Sequence, residues 1–363
     1  MQQYARLGRG QAPTEKILFP HTFYGKYRVL AVFLILSAVF VAAFSFSGLW
    51  LQNGGAGDFL KGLGSFRPST ATTSPSTEET TYGEETTDIQ VSPPSKEELP
   101  EHATPLCAMD LSYRDRGADY LLNETLYRPL VERLLEKDVS LSKEALLSSG
   151  PLVLILHTHT SEAYPTEDGA YFAGDLGETT YSSDATRNML SVGKALSDAL
   201  NQKGIPTIHC TVTHDVPSLQ GSYERAAESI RFYRELYPSI QCVIDLHRDA
   251  VMTSTGELVK SLSVTQDEPT AQIMAVVGSD GNGTPHESWE ENLALALRLR
   301  ALLNADGRDL GRPVALRNAS YNQELAPYSL LLEIGTSGNT LEEALRSIPP
   351  LADALEELLL PDR

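Results

Sequence analysis

Three short stretches of this 363-residue chain carry the side chains that could do chemistry. The run LVLIL (152–156) leads into HTHTSE, which supplies His157, His159 and Glu162. The run QCVIDLH (241–247) supplies Asp245 and His247 and continues into Arg248 and Asp249. The run SLLLEIG (329–335) supplies Glu333. Two imidazoles and a carboxylate around an ion with one open position are what a catalytic Zn²⁺ requires. A further carboxylate beside such a site can take the proton of a bound water, whose pKa the metal lowers to about 7. The candidate ligands are His159 (or His157), Glu162 and His247, and Glu333 is a candidate for the further carboxylate.

Each role has an alternative. The spacing His159-x-x-Glu162 is also the ligand pattern of zinc carboxypeptidases, yet a histidine three residues before an acid is common by chance. What makes it informative is its place at the end of an aliphatic run. His157 competes with His159 for the same ligand position. It serves instead behind the ligands or against substrate if the H-x-x-E turn holds the ion. Asp245, two residues before His247 on the same side of a strand, either orients an imidazole or caps a loop amide. Arg248 should point away from His247 and hold a carboxylate of the protein or of a substrate.

The elements that must position these groups alternate in type. Strands are expected at 152–156, 205–212, 241–247, 273–278 and 329–335. Helices are expected at 183–204, 222–236, 288–305, 341–348 and 351–360, the third acidic at its start and basic towards its end, as the helix dipole favours. This alternation predicts an α/β fold, a mostly parallel sheet flanked by helices on both faces. Sites in such sheets lie at the carboxyl ends of the strands, where all three chemical runs fall. Residues 106–150 read as a helical lead-in without a motif.

Other candidates are weaker. His209, His214 and His286 read as structural, and Cys210 and Cys242 as small buried hydrophobes in strands. Cys107 carries no assignment. Ser161 lacks the G-x-S-x-G elbow of a serine hydrolase. GSDGNG (278–283) fits neither a dinucleotide nor a P-loop spacing. Three cysteines exclude a disulfide scaffold.

The N-terminal third is of another kind. Residues 29–51 (VLAVFLILSAVFVAAFSFSGLWL) hold no charge. As a helix they would span about 34 Å, enough for a hydrocarbon core of ~30 Å. The run is longer than the ~7–15 residues of a signal-peptide core, and no clear small-residue cleavage site follows. Residues 1–28 carry five bases against one acid, so the positive-inside rule keeps them in the cytoplasm and sends the rest outside. Residues 52–104 hold three bases against nine acids and are rich in Ser, Thr, Glu and Pro, the composition of a disordered linker. The expected plan is therefore a cytoplasmic tail (1–28), a single transmembrane helix (29–51), a linker (52–104) and an extracytoplasmic domain (105–363). That domain carries −17 of the net −19, which excludes nucleic acid as a partner, since phosphate binding needs Lys/Arg clusters.

Four ordered blocks, VLILHTHTSEAYP, RNMLSVGKALSDALNQKGIPTIH, VIDLHRDA and SLLLEIGTSGNTLEEALRS, make the sequence resemble the stage II sporulation protein P family over roughly 150–350. The resemblance implies a membrane-anchored peptidoglycan hydrolase of endospore-forming bacteria, similar in fold to zinc N-acetylmuramoyl-L-alanine amidases. There His, Glu and His hold the metal and a late Glu is catalytic, roles that fall here on His159 (or His157), Glu162, His247 and Glu333. It further implies endopeptidase cleavage of cross-links, and partnership with a lytic transglycosylase and a polytopic membrane protein during engulfment. Within its N-T-x-E-E-A block Asn339 reads as a helix cap. Two other readings stay open: a zinc carboxy- or endopeptidase acting on peptides, and a metal-free wall-binding scaffold.

Overall fold

A computed structural model describes residues 103–360, apart from 118–119, 166–168, 170 and 173–179. The expected tail, transmembrane helix and all but the last residues of the expected linker lie outside the described residues. Among the described residues, no helix is long and apolar enough to cross a membrane.

The main sheet has seven strands. In chain order they are β2 (Leu121–Asn123), β3 (Val153–Leu156), β5 (Thr207–His209), β6 (Cys242–Asp249), β8 (Ile273–Gly278), β9 (Val314–Arg317) and β10 (Tyr328–Thr336), arranged β2-β9-β8-β10-β6-β3-β5. Every neighbouring pair is parallel except β8 with β10. The expected mixed α/β architecture is thus present, with one antiparallel seam. A second sheet joins β4 (Tyr171–Phe172), β1 (Thr104–Met109) and β7 (Leu258–Ser261) in that order.

The two faces of the main sheet are covered differently. Val153, Ile155, Ile244, Leu246, Leu330 and Leu332 point into the larger core. There they meet α3 (Met189–Gln202), α5 (Trp289–Leu303) and α7 (Ile348–Leu359), which bury Val192, Leu196, Leu295, Leu351 and Leu355. On the opposite face Leu154, Leu156 and Val243 pack under Ala226 and Ile230 of α4 (Ser222–Leu236). Beyond α4 that same face carries Met274, Val276, Ala315 and Leu331, covered by Tyr321. One face is therefore shared between a helix and a loop, and the chemical groups lie between them.

The lead-in departs from the expected helix. It contributes β1 and β2 and only two short helices, α1 (Val131–Leu135) and α2 (Lys143–Leu146). Pro129 explains part of this, since the residue before a proline is steered away from the α region. The strands β1, β2, β4, β7 and β9 were not expected. Each is short, and β7 carries a lysine whose charge is answered only in the folded state, by Glu343 at 2.7 Å from Lys260. The helix α6 (Leu341–Arg346) is capped by Thr340 in a capping box with Glu343, not by Asn339. Asn339 instead accepts from the Thr336 and Ser261 amides and donates to Glu343.

Candidate active site

Alternation and register bring the groups together. On β6 the residues facing α4 are Val243, Asp245 and His247. Glu333 on β10 is the direct neighbour of His247, and Leu156, the last residue of β3, is the neighbour of Asp245. β10 has an irregularity between Glu333 and Thr336, where Gly335 takes φ +68. A side chain at Gly335 would stand 2.8 Å from Asn339 Oδ1 and 2.9 Å from Ala271 Cβ, so only glycine closes the strand here.

The chain leaving β3 is fastened to β6. Asp245 accepts from the Thr158 amide at 2.8 Å and from its hydroxyl at 2.6 Å. It also stands 3.1 Å from His247 Nε2, off line for a hydrogen bond. Of its two expected roles Asp245 takes the loop cap, and it lies beside the imidazole without hydrogen-bonding to it. Ser161 donates through its amide to Asp215, and the Tyr164 hydroxyl donates to the Ile334 carbonyl at 2.6 Å. These bonds hold the turn that presents His159 and Glu162.

Glu162 accepts from the Arg248 amide at 3.1 Å, and its Oε2 lies 3.4 Å from His247 Nδ1. His247 is thus flanked by carboxylates at both ring nitrogens. Burial disfavours its charge, but Asp245 and Glu162 outweigh that and hold its pKa well above the usual histidine value. The His159 ring stands edge-on to His247, centroids 5.2 Å apart. Its Nδ1 is buried without a hydrogen-bond partner. Burial, then the neighbouring His247, holds it below the usual value. Glu333 Oε2 is also buried and unpartnered. Burial first, with Glu162 and Asp249 adding to it against His247 and Arg312, pushes its carboxyl up to about 8.

His157 is turned away from this cluster. Its Nδ1 meets the Leu246 carbonyl at 3.1 Å and its Nε2 meets His209 Nε2 at 2.8 Å, so neither nitrogen is left for a ligand in the cleft. The strand ends at Leu156, so residues 157 and 159 lie beyond it and strand alternation does not set which way they face. His214 is structural in the same sense, bonded to the His157 carbonyl and the Ser229 hydroxyl. Arg248 does point away from His247, but it holds backbone rather than a carboxylate. Its guanidinium donates to the Ala163 and Thr180 carbonyls and lies 5.2 Å from the Tyr181 ring centroid.

The donor set His159, Glu162 and His247 fits a zinc ion in kind. His247 Nδ1 and Glu162 Oε2 are 3.4 Å apart, the separation of two ligands ~2.1 Å from a tetrahedral ion. The orphaned Nδ1 of His159 and Oε2 of Glu333 are what a site completed by a further group leaves behind. Among the described residues, no group of three or more His, Cys, Asp or Glu side chains already stands in metal-holding geometry.

Sequence reasoning missed Tyr223 and Tyr321. Tyr223, in the first turn of α4, stands edge-on to His159 with centroids 5.6 Å apart, and Tyr321 is 5.9 Å from Tyr223. The available signal was topological: a helix that follows a parallel strand opens at the carboxyl edge of the sheet, where the site must be.

Fold and site together define an α/β domain with an acid–imidazole cluster at the carboxyl ends of its central parallel strands. The chain belongs to the stage II sporulation protein P family, whose sequence model matches residues 66–356. Stage II sporulation protein P of Bacillus subtilis (strain 168) is 27% identical over 220 residues, covering 57% of this chain and 51% of that protein. The chain thus spans about half the length of this curated relative. Among solved structures, the catalytic domain of CwlV, an N-acetylmuramoyl-L-alanine amidase from Bacillus (Paenibacillus) polymyxa var. colistinus, is 12% identical at a TM-score of 0.36, covering 57% of this chain and 97% of that one. The N-acetylmuramoyl-L-alanine amidase of Clostridium difficile 630 is 15% identical at a TM-score of 0.35, covering 59% and 97%.

Proposed function

We propose that this chain is a zinc-dependent peptidoglycan hydrolase of sporulation that cuts the amide between N-acetylmuramic acid and L-alanine and so removes stem peptides. The observation that carries the proposal is the convergence of His159, Glu162, His247 and Glu333 at the ends of neighbouring strands, with Glu333 beside His247 in register and carrying a buried, unpartnered oxygen. Family membership supports the sporulation setting.

His159, Glu162 and His247 would hold the zinc. When bound, zinc supplies a Lewis acid that lowers the pKa of water and polarises a carbonyl. Glu333 takes one proton from the attacking water at Oε2 and returns it to the nitrogen of the leaving amine. The C–N bond breaks and the new carboxyl keeps the water's oxygen. Beside the dication of the metal-loaded site Glu333 would favour its carboxylate form, the form that accepts a proton and can then give it back. Asp245 holds the Thr158 turn that carries His159 and keeps a negative charge beside His247.

Residues 29–51 would anchor the chain in the cell membrane with residues 1–28 in the cytoplasm, the linker reaching about 40 Å on average towards the wall. A lytic transglycosylase and a polytopic membrane protein of engulfment would be its partners. The test is digestion of purified muropeptides by the full chain in detergent, with zinc measured on the same preparation and new termini identified by mass spectrometry. Freed lactyl and L-alanine termini are expected. Termini within stem peptides would assign a peptidase instead, and no cleavage by a chain that carries no zinc would leave the metal-free scaffold reading.

A further inference from the structure

The hydroxyl of Tyr223 is chemically uncommitted in an otherwise heavily bonded neighbourhood. Among the described residues it makes no hydrogen bond. The ring, by contrast, is fixed on several sides. It stands edge-on to His159, and its phenol lies within electrostatic reach of Asp245, Glu333 and Glu162, the groups of the cleft. Its backbone is also tied, because the Asn322 side chain donates to the Tyr223 carbonyl at 2.8 Å.

The partner loop is built to hold that position. Tyr321 and Asn322 both have positive φ, +53 and +60, in succession and without a glycine. Such backbone is sparsely populated by residues other than glycine and persists only where surroundings over-determine it. Here the side chain of the next residue, Gln323, accepts from the Gly278 amide at 2.8 Å and donates to the Val276 carbonyl at 2.9 Å. The loop lies so close to β8 that a side chain at Gly278 would stand 2.1 Å from the Ala319 carbonyl oxygen. Tyr321, held this way, stands against Tyr223 and limits where the Tyr223 ring can go.

We propose that Tyr223 touches the substrate as a hydrogen-bond donor, its Oη–H directed at the carbonyl oxygen of the scissile amide as negative charge builds there. This rests on the hydrolase reading above. A phenol is a neutral donor at physiological pH, held by a stiff side chain with two torsions, and it transfers no proton in this role. Tyr223 also lies in the first turn of the 15-residue α4, whose positive end favours the same developing charge.

The experiment compares the wild-type full chain with Tyr223→Phe on purified muropeptides, reading kcat and KM separately, with melting temperature and bound metal measured on both. Removing one donor of this kind lowers kcat by roughly 10²–10³-fold. That loss is expected in Tyr223→Phe, with KM changed by less than about threefold and with metal content and melting temperature unchanged, since the ring and its edge contact with His159 remain. Equal kcat in the variant and an active wild type overturns the role of Tyr223 and leaves the hydrolase reading standing. A wild type that cuts no muropeptide overturns both. A variant that loses metal or melts well below the wild type assigns Tyr223 to the frame of the site and overturns the proposal.

Discussion

Glu333 and His247 are direct neighbours on adjacent parallel strands, so one pair of Cα partners sets a buried acid beside an imidazole that is itself flanked by Glu162 and Asp245. The proton carrier and a metal ligand of the proposed reaction are therefore fixed by sheet register, not by a loop. Strand-borne groups are held more tightly than loop-borne ones, as proton transfer requires.

Glu333→Gln is expected to keep zinc and to lose hydrolysis by roughly 10²–10⁴-fold. The same variant tests the raised carboxyl. In the chelated chain Glu333 stays protonated up to about 8 while the unfolded chain releases that proton near 4.5, so wild-type stability falls as pH rises between them. The slope is at most ~1.4 kcal/mol per pH unit. Glutamine removes it, and the melting temperature of the variant should gain on the wild type from pH 5 to pH 8. Parallel melting curves would refute this.

His247→Ala removes the positive partner of two buried carboxylates. Zinc should fall to background by elemental analysis, and the chelated chain should lose roughly 3–5 kcal/mol at pH 6. The folded pKa of His247 is raised, so its ion pairing stabilises fully below ~6.5 and fades as pH rises through the folded value. The stability gap to the wild type should accordingly narrow in alkali.

His159→Ala and His157→Ala should separate. The first is expected to lose zinc with little change in the stability of the chelated chain, because its Nδ1 has no protein partner to lose. The second is expected to keep zinc and to destabilise the fold by roughly 2–4 kcal/mol, by a cavity and by unpairing His209 and the Leu246 carbonyl. Zinc lost from His157→Ala alone would reverse the assignment.

Acid should unfold the chelated chain early. Burial is the main cause that depresses His157, His214 and His209, the last to about 4. These imidazoles stay neutral in the fold while the unfolded chain protonates them near 6.5, so stability falls as pH drops from ~6.5 towards ~4 by up to ~1.4 kcal/mol per unit per group. Gly193→Ala should aggravate this, since the new methyl would meet His157 Nε2 and His209 Nε2 at 2.4 and 2.5 Å. Denaturant melts between pH 4 and 7 measure both.

The sequence by itself determined the α/β alternation, the central strands β3, β6, β8 and β10, and the run ends at which Glu162, His247 and Glu333 appear. Long aliphatic runs and 3.6-residue periodicity are local signals, and a charged residue closing an aliphatic run is visible without a partner. Only the tertiary structure decided what local patterning cannot hold. Strand order and the antiparallel β8–β10 seam come from which strands pair, and the short strands β9 and β2 form because β9 pairs along β8 and β2 along β9. The choice between His157 and His159 depends on His209, 52 residues further along the chain, which takes the nitrogen that His157 would need. Tyr223 and Tyr321 meet because a helix and a loop share one face of the sheet. Pairings between segments distant in the chain leave no trace in either segment alone, which is why the strand ends that carry acids and imidazoles could be read from the sequence and their surroundings could not.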